Sequence, residues 1–331
     1  MINLLRNKVI IVPAVLLLLA LISPFVPSFI LLLIIQALIF GILALSVDLL
    51  LGFTGLPSLG QAAYLGMGAY LTAILVDRFE FGLSCDFPLV LVLGILIGAA
   101  TAAFFGLFAI RATGVYFLII TLALGMVVWG VANRWNSMTG GDNGINVLSR
   151  PACGVDLSND VVFFYVVFVV YSAALGGMYV LVNSPFGKSL MGIRESETRM
   201  QMLGYNTWLH KYLAFVIAGG YGGLAGVLWT HLNGIVTPED VILTTSVDAL
   251  LMVVLGGPGT LVGGAIGAMV VVAIREYLST WVEWWQYVLG GVYVLTIYFL
   301  PEGLMGLPEL IKKRRPARKS EPPAEASSVE T

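Results

Sequence analysis

Two carboxylates stand inside apolar runs long enough to cross a bilayer. Asp48 lies four residues before Gly52, and Asp248 lies within two turns of Gly256. A carboxylate at that depth is a candidate ion or proton site, because hydrocarbon penalises an unpaired charge. The same placement serves a second chemistry, in which the carboxylate caps a neighbouring broken helix by accepting from its free amides. No Lys or Arg partner is evident at the same depth, and a proton relay would need more titratable groups than these two. The spacing favours capping.

Both acids adjoin interruptions of the apolar pattern, Gly52, Gly55, Pro57 and Gly60 in one case and Gly256-Gly257-Pro258-Gly259 in the other. Irregular backbone at membrane depth survives only where it is buried in protein or lines a watery cavity. Helix ends at such breaks offer amides to an anionic group and carbonyls to a cationic one, which together suit a zwitterion such as an amino acid. Gly256 and Gly257, with Asp48, Asp248 and the polar residues Ser58, Gln61, Tyr64 and Tyr116, are therefore the candidates for a translocation path. Tight packing accounts for the other glycines, such as Gly219 and Gly223, which are four apart on one run.

The third chemical feature is Asn183 to Lys211, the longest polar and charged stretch between two apolar runs. Ser184 suits an N-cap, Pro185 the first turn, and Gly204 followed by Asn206 the stop. Leu190, Ile193, Met200 and Leu203 recur at helical spacing, with Lys188, Arg194, Glu195, Glu197 and Arg199 between them. This describes a short amphipathic helix with one apolar edge. It suits two settings equally, the surface of its own bilayer or the groove of a partner protein.

Enzyme motifs are absent. His210 and His231, the only histidines, stand in no metal-ligand spacing, and Gly256 to Gly264 lacks the Lys-Ser/Thr of a phosphate-binding loop. No resident cofactor or metal is expected, and if ATP drives this chain, another subunit must bind it with its Mg. The tryptophans and tyrosines near the ends of the apolar runs suit an aromatic belt against membrane lipid.

Composition sets the elements that position these groups. Of the 331 residues 59% are hydrophobic and 11% charged, against roughly 25% charged in a soluble domain. Helix-length apolar runs predict an all-α polytopic membrane protein, and nothing suggests nucleic-acid binding. The first run, after Arg6 and Lys8, lacks a small-x-small cleavage site and reads as a retained helix. Further spans are expected at Ser28–Leu51, Gly52–Leu75, Phe87–Ile110, Gly114–Ala132, Val161–Val182, Tyr212–His231 and Gln286–Leu300. Thr245–Ile274 is too long for one ordinary crossing.

Basic residues orient the bundle. With the N-terminus in the cytoplasm, Arg6, Lys8, Arg111 and the four basic residues of the 184–211 loop fall inside. The six of the Lys312–Lys319 tail join them only if the number of crossings is even. Splitting Thr245–Ile274 at Gly256–Gly259 into two short half-helices gives ten spans and puts thirteen of the seventeen Lys and Arg inside. The expected organisation is a transmembrane permease domain over 1–311 and a disordered cytoplasmic tail over 312–331. Cys85 and Cys153 fall outside, where a disulfide is chemically allowed but two free thiols remain the plainer reading.

GFTGLPSLGQAAYLGMGAYLTAIL from Gly52, ATGVYFLIITLALG with the following SMTGGDNGI, SPFGKSLMGIRESETRMQMLGYN and DALLMVVLGGPGTLVGGAIGA occur in that order. Together they resemble the branched-chain amino-acid ABC transporter permeases, specifically the LivM-like branch, over roughly Phe40 to Leu307. The resemblance implies an ABC importer permease fold in a bacterial inner membrane, and the basic residues put both termini in the cytoplasm. It implies pairing with a second, LivH-like permease, two cytoplasmic ATP-binding subunits, and a periplasmic substrate-binding protein; the outer segment Asn133–Asp160 is the expected docking surface for the last. In that family the cytoplasmic loop before a Gly couples to the ATPase. It maps here onto Ser184–Asn206, with Lys188, Leu190, Ile193, Arg194, Glu195, Glu197, Met200, Leu203 and Gly204 as its residues.

The chain departs from the family pattern in three places. Thr198, Arg199 and Met200 replace small alanines, Gln61 stands where His is frequent, and Asp48 where Asn is common. These changes leave urea, other amides or other amino acids open as substrates beside Leu, Ile and Val. An ion-coupled secondary transporter using Asp48 and Asp248, and an assembly protein that moves nothing, are the readings from other classes.

Overall fold

The computed structural model describes residues 26–79, 87–147, 159–281, 284–299 and 303–306. The described residues are mostly helical. α1 (Ser28–Asp48) runs on into a π-helical turn, Leu49–Thr54, and α2 (Gln61–Phe79) follows an irregular stretch. α3 (Phe87–Ala109), α4 (Val115–Arg134) and the single turn α5 (Asn136–Thr139) lead to β1 (Ile145–Asn146). α6 (Asp160–Asn183) enters the charged loop, which forms α7 (Pro185–Glu195) and α8 (Glu197–Met202) before α9 (Thr207–Asn233). β2 (Ile235–Val236), a 3-10 turn at Pro238–Val241, α10 (Leu243–Gly256), α11 (Val262–Trp281), α12 (Trp285–Phe299) and a last 3-10 turn at Leu304–Gly306 follow.

Among the described residues six helices are long and apolar enough to cross a membrane: α1 with its π turn, α3, α4, α6, α9 and α11. α10 and the middle of α12 are shorter apolar helices. A multi-pass helical membrane protein follows. The expected first span, the tail and both cysteines lie outside the described residues.

α1 and α9 form the centre. α9 packs on α3, α2 and α1, while α1 also meets α6, α10 and α11. No hydrophobic driving force pulls helices together within lipid, so close backbone approach must do it. Gly223 of α9 shows how: a Cβ there would overlap the carbonyl of Gly94 on α3. Large side chains fill the remaining space, with Tyr64 edge-on to Phe215 at a centroid distance of 5.8 Å and Phe215 against Phe117 at 5.8 Å.

Chain direction gives the bundle two ends. At one, β1 and β2 pair antiparallel, Ile145 opposite Val236, beside the 3-10 turn. At the other lie α7 and α8. Two expectations change here. The loop is two helices, because Ser196 leaves the helical region (φ −161°) and its side chain accepts from the Arg199 amide to start α8. Of the two expected half-helices only α10 is short; α11, at 20 residues, has full spanning length.

Candidate functional site

The charged loop is built without slack. Ser184 ends α6 and caps α7 by accepting from the Gly187 amide at 3.3 Å. Ser196 ends α7 and caps α8. Asn206, expected as part of the stop, instead starts α9, its Oδ1 accepting from the Leu209 amide at 3.1 Å. Gly204 does lie at the turn, with φ +87°. Leu190, Ile193 and Met200 are buried against the bundle, while Leu203 is exposed. Lys188, Glu195 and Arg199 point away from the core. Glu197 pairs with the buried Lys211 of α9 at 2.6 Å.

Arg194 is exposed overall but reaches back to the bundle with its guanidinium. Its Nη1 donates to the carbonyl of Gly52 in the π turn of α1. The guanidinium also acts electrostatically on Asp48, one turn earlier. Asp48 is fully buried, and its two oxygens accept from the backbone amides of Gly259 at 2.6 Å and Leu261 at 3.0 Å. The carboxylate thus ties α1 to the segment between α10 and α11. Leu261 has φ +54°, a left-handed conformation that costs a non-glycine residue about 1–2 kcal/mol. Gly52 must be glycine, since a Cβ there would overlap both the Asp48 carboxylate and the Gly259 amide. One knot therefore joins the loop, the end of α1 and the α10–α11 break.

Other candidate residues lie elsewhere. Ser58 and Gln61 are fully buried at the start of α2. Ser46 donates to the Gln61 Oε1 at 2.8 Å, Ser58 Oγ accepts from the Gly60 amide at 3.2 Å, and Ser246 Oγ accepts from the Ala62 amide at 2.9 Å. Tyr64, one turn further on, packs among aromatic rings. Gly256 abuts the backbone of Gly263, and Gly257 ends α10 with φ +113°. Tyr116 is 75% exposed at the start of α4 and joins none of these groups.

Asp248 sits toward the opposite end of the bundle. It lines a cavity of about 390 Å³ with Phe40, Leu65, Trp229, Asp240 and Arg275. Arg275 of α11 acts electrostatically on it, so both membrane acids have a cationic neighbour that spacing did not reveal. Among the described residues no hydrogen bond joins Asp248 to the α10–α11 break that it was expected to cap. Asp240 is the latch of the 3-10 turn. It accepts from Trp229 Nε1 at 2.8 Å and the Thr237 amide at 2.9 Å, and burial raises its carboxyl above the usual range.

The sequence alone did not point to Ser46, Ser246, Asp240, Arg275 or the contact of Arg194 with Gly52. The signal for Ser196 was present, a Ser followed at once by Glu197 in a first turn. The nearness of Arg275 to Asp248 spans two helices and leaves no local trace.

The chain matches the family described as branched-chain amino acid transport system, permease component, over residues 29–298. It is 29% identical over 294 residues to the high-affinity branched-chain amino acid transport system permease protein LivM of Salmonella typhimurium, covering 82% of this chain and 68% of that one. Against the same-named protein of Escherichia coli K12 it is 29% identical over 306 residues, covering 85% and 71%. It is also 28% identical over 152 residues to the permease protein LivH of Salmonella typhimurium, covering 44% and 48%. No solved structure matches.

Proposed function

The chain belongs to the branched-chain amino acid transport permease family, and from that membership we propose that it works as one of two permeases in an ATP-driven importer. It is a transport component and not an enzyme. A second, LivH-like permease would complete the path for Leu, Ile or Val. Two ATP-binding subunits would engage the α7–α8 loop, and a periplasmic binding protein would deliver substrate at the β1–β2 end. The observation that carries this reading is the Arg194–Gly52–Asp48 knot, because it fastens a charged surface loop to both interrupted helices.

Orientation follows the basic residues. The α7–α8 end faces the cytoplasm in this reading, and the chain returns to it after α12, where Gly303 lies against the backbone of Gly257. That return supports ten spans in the inner membrane with both termini cytoplasmic. ATP and Mg reside on the partner subunits. The ion-coupled alternative is less well served, since both oxygens of Asp48 are committed to backbone amides.

Alternating access would then proceed without chemistry on this chain. ATP-driven approach of the two ATP-binding subunits displaces α7 and α8. Arg194 passes the displacement to the π turn of α1 and, through Asp48, to the α10–α11 segment. The paired permeases open alternately to either side. The deciding experiment co-purifies this chain with the second permease and two ATP-binding subunits, then measures ATP-dependent leucine uptake in proteoliposomes. Replacing Gly204 and Glu197 should abolish uptake or ATPase association. Full uptake and association after both replacements would remove the loop from the mechanism.

A further inference from the structure

The cavity toward the β1–β2 end has a chemistry that the knot does not use. Its charged lining has Asp248 and Arg275 acting on each other electrostatically, with Asp240 alongside and Glu239 exposed on the 3-10 turn. Phe40, Leu65 and Trp229 supply an apolar wall, Phe40 meeting Trp229 edge-on at 5.1 Å. Asp240 is spent on Trp229 and Thr237, which hold the 3-10 turn in place. A volume of about 390 Å³ falls within the range of roughly 300–1,000 Å³ of small-molecule sites.

We infer that this cavity is a receiving site for a free α-amino acid, with its ammonium at Asp248, its carboxylate at Arg275 and its aliphatic side chain against Phe40, Leu65 and Trp229. The inference rests on the importer reading and adds a substrate contact on the permease itself. Charge balance selects the ligand class. A zwitterion is neutral overall and offers one charge to Asp248 and the opposite one to Arg275, so it adds no net charge to the cavity. An amine or an acid alone would bring a net charge into the cavity and engage only one of the two groups.

The test uses the complete transporter in nanodiscs without binding protein or nucleotide, and measures retention of radiolabelled leucine. Saturable retention is expected, with leucinol (no carboxylate) and 4-methyl-2-oxopentanoate (no ammonium) competing at least about tenfold less well than leucine. Arg275→Gln and Asp248→Asn, each checked for intact subunit association, should lower retention by about tenfold or more. The analogue series needs no variant and so stands even if a substitution disturbs assembly. Absence of saturable retention in a complex that imports leucine on ATP would overturn the inference and leave the importer reading intact. Equal competition by the two analogues, or retention unaffected by both substitutions, would overturn it as well. A complex that imports no leucine would instead defeat the importer reading, and the receiving site with it.

Discussion

Asp48 holds the backbone amide of Gly259 at 2.6 Å across 211 residues of sequence. Its other oxygen takes the Leu261 amide, so one buried side chain satisfies two donors that the α10–α11 break leaves without helical partners. Asp48→Ala strands both. The expected cost is about 3 kcal/mol, from two charge-assisted bonds lost and two amides unsatisfied. Thermal unfolding of the detergent-solubilised chain measures it. Asp48→Asn should fall between, because one of its atoms still accepts while the other is an amide facing an amide.

Arg194 gives a kinetic prediction. Arg194→Lys keeps the charge but loses the planar fork that reaches the Gly52 carbonyl while remaining beside Asp48. ATP-driven uptake should drop about tenfold, equivalent to about 1.4 kcal/mol of barrier, with subunit association unchanged. Uptake at the unsubstituted rate would show that the loop moves the bundle by another route.

Helix placement was legible in the sequence because lipid demands long apolar runs, and the two breaks were legible as clusters of Gly and Pro. The loop was legible as polar chain between apolar chain, though its division was not. Arg194, Glu195, Ser196 and Glu197 form a polar run in which the helical period carries no signal, so the cap at Ser196 passed unseen. The sites depend on pairs far apart, Arg194 with Gly52 and Asp248 with Arg275, and no spacing rule reaches across helices. Tyr116 shows the converse. That polar aromatic beside a family motif stands exposed at a helix start, apart from both breaks, where the described residues of the single chain give it no partner to be read from.

The Glu197–Lys211 bridge is lopsided, with side chains 35% and 6% exposed respectively. Removing the exposed partner leaves a buried ammonium, whereas removing the buried one leaves a carboxylate that water can reach. Glu197→Gln should therefore destabilise the loop more than Lys211→Met does, by roughly 1–2 kcal/mol after allowance for solvent at Glu197. Hydrogen exchange across α8 would register the difference, and equal effects would place the pair fully in solvent.

Gly223 and Gly130 make a matched pair. A methyl group at Gly223 overlaps the Gly94 backbone, while one at Gly130 meets nothing within 4 Å. Gly223→Ala should cost about 3 kcal/mol, seen as a lowered melting temperature, and Gly130→Ala should be neutral in the isolated chain.

Asp240 predicts a pH response at the opposite end of the bundle. Burial raises its carboxyl, so the folded turn binds the proton more tightly than the unfolded chain does. By linkage its stabilising contribution is present at low pH and fades as pH rises through the raised value. Hydrogen exchange at the 3-10 turn should accordingly slow as pH falls from 7 through that value, after correction for intrinsic rates. Asp240→Asn should remove the dependence.

Each residue that ends a helix between Asn183 and Thr207 also begins the next or lies within four residues of doing so. Ser184 closes α6 and opens α7, Ser196 closes α7 and opens α8, and only Leu203 to Asn206 separate α8 from α9. A linkage jointed this closely has no backlash. An ångström of travel imposed on α7 or α8 is handed to α6 and α9 at once, and a single extra residue in the loop would introduce play.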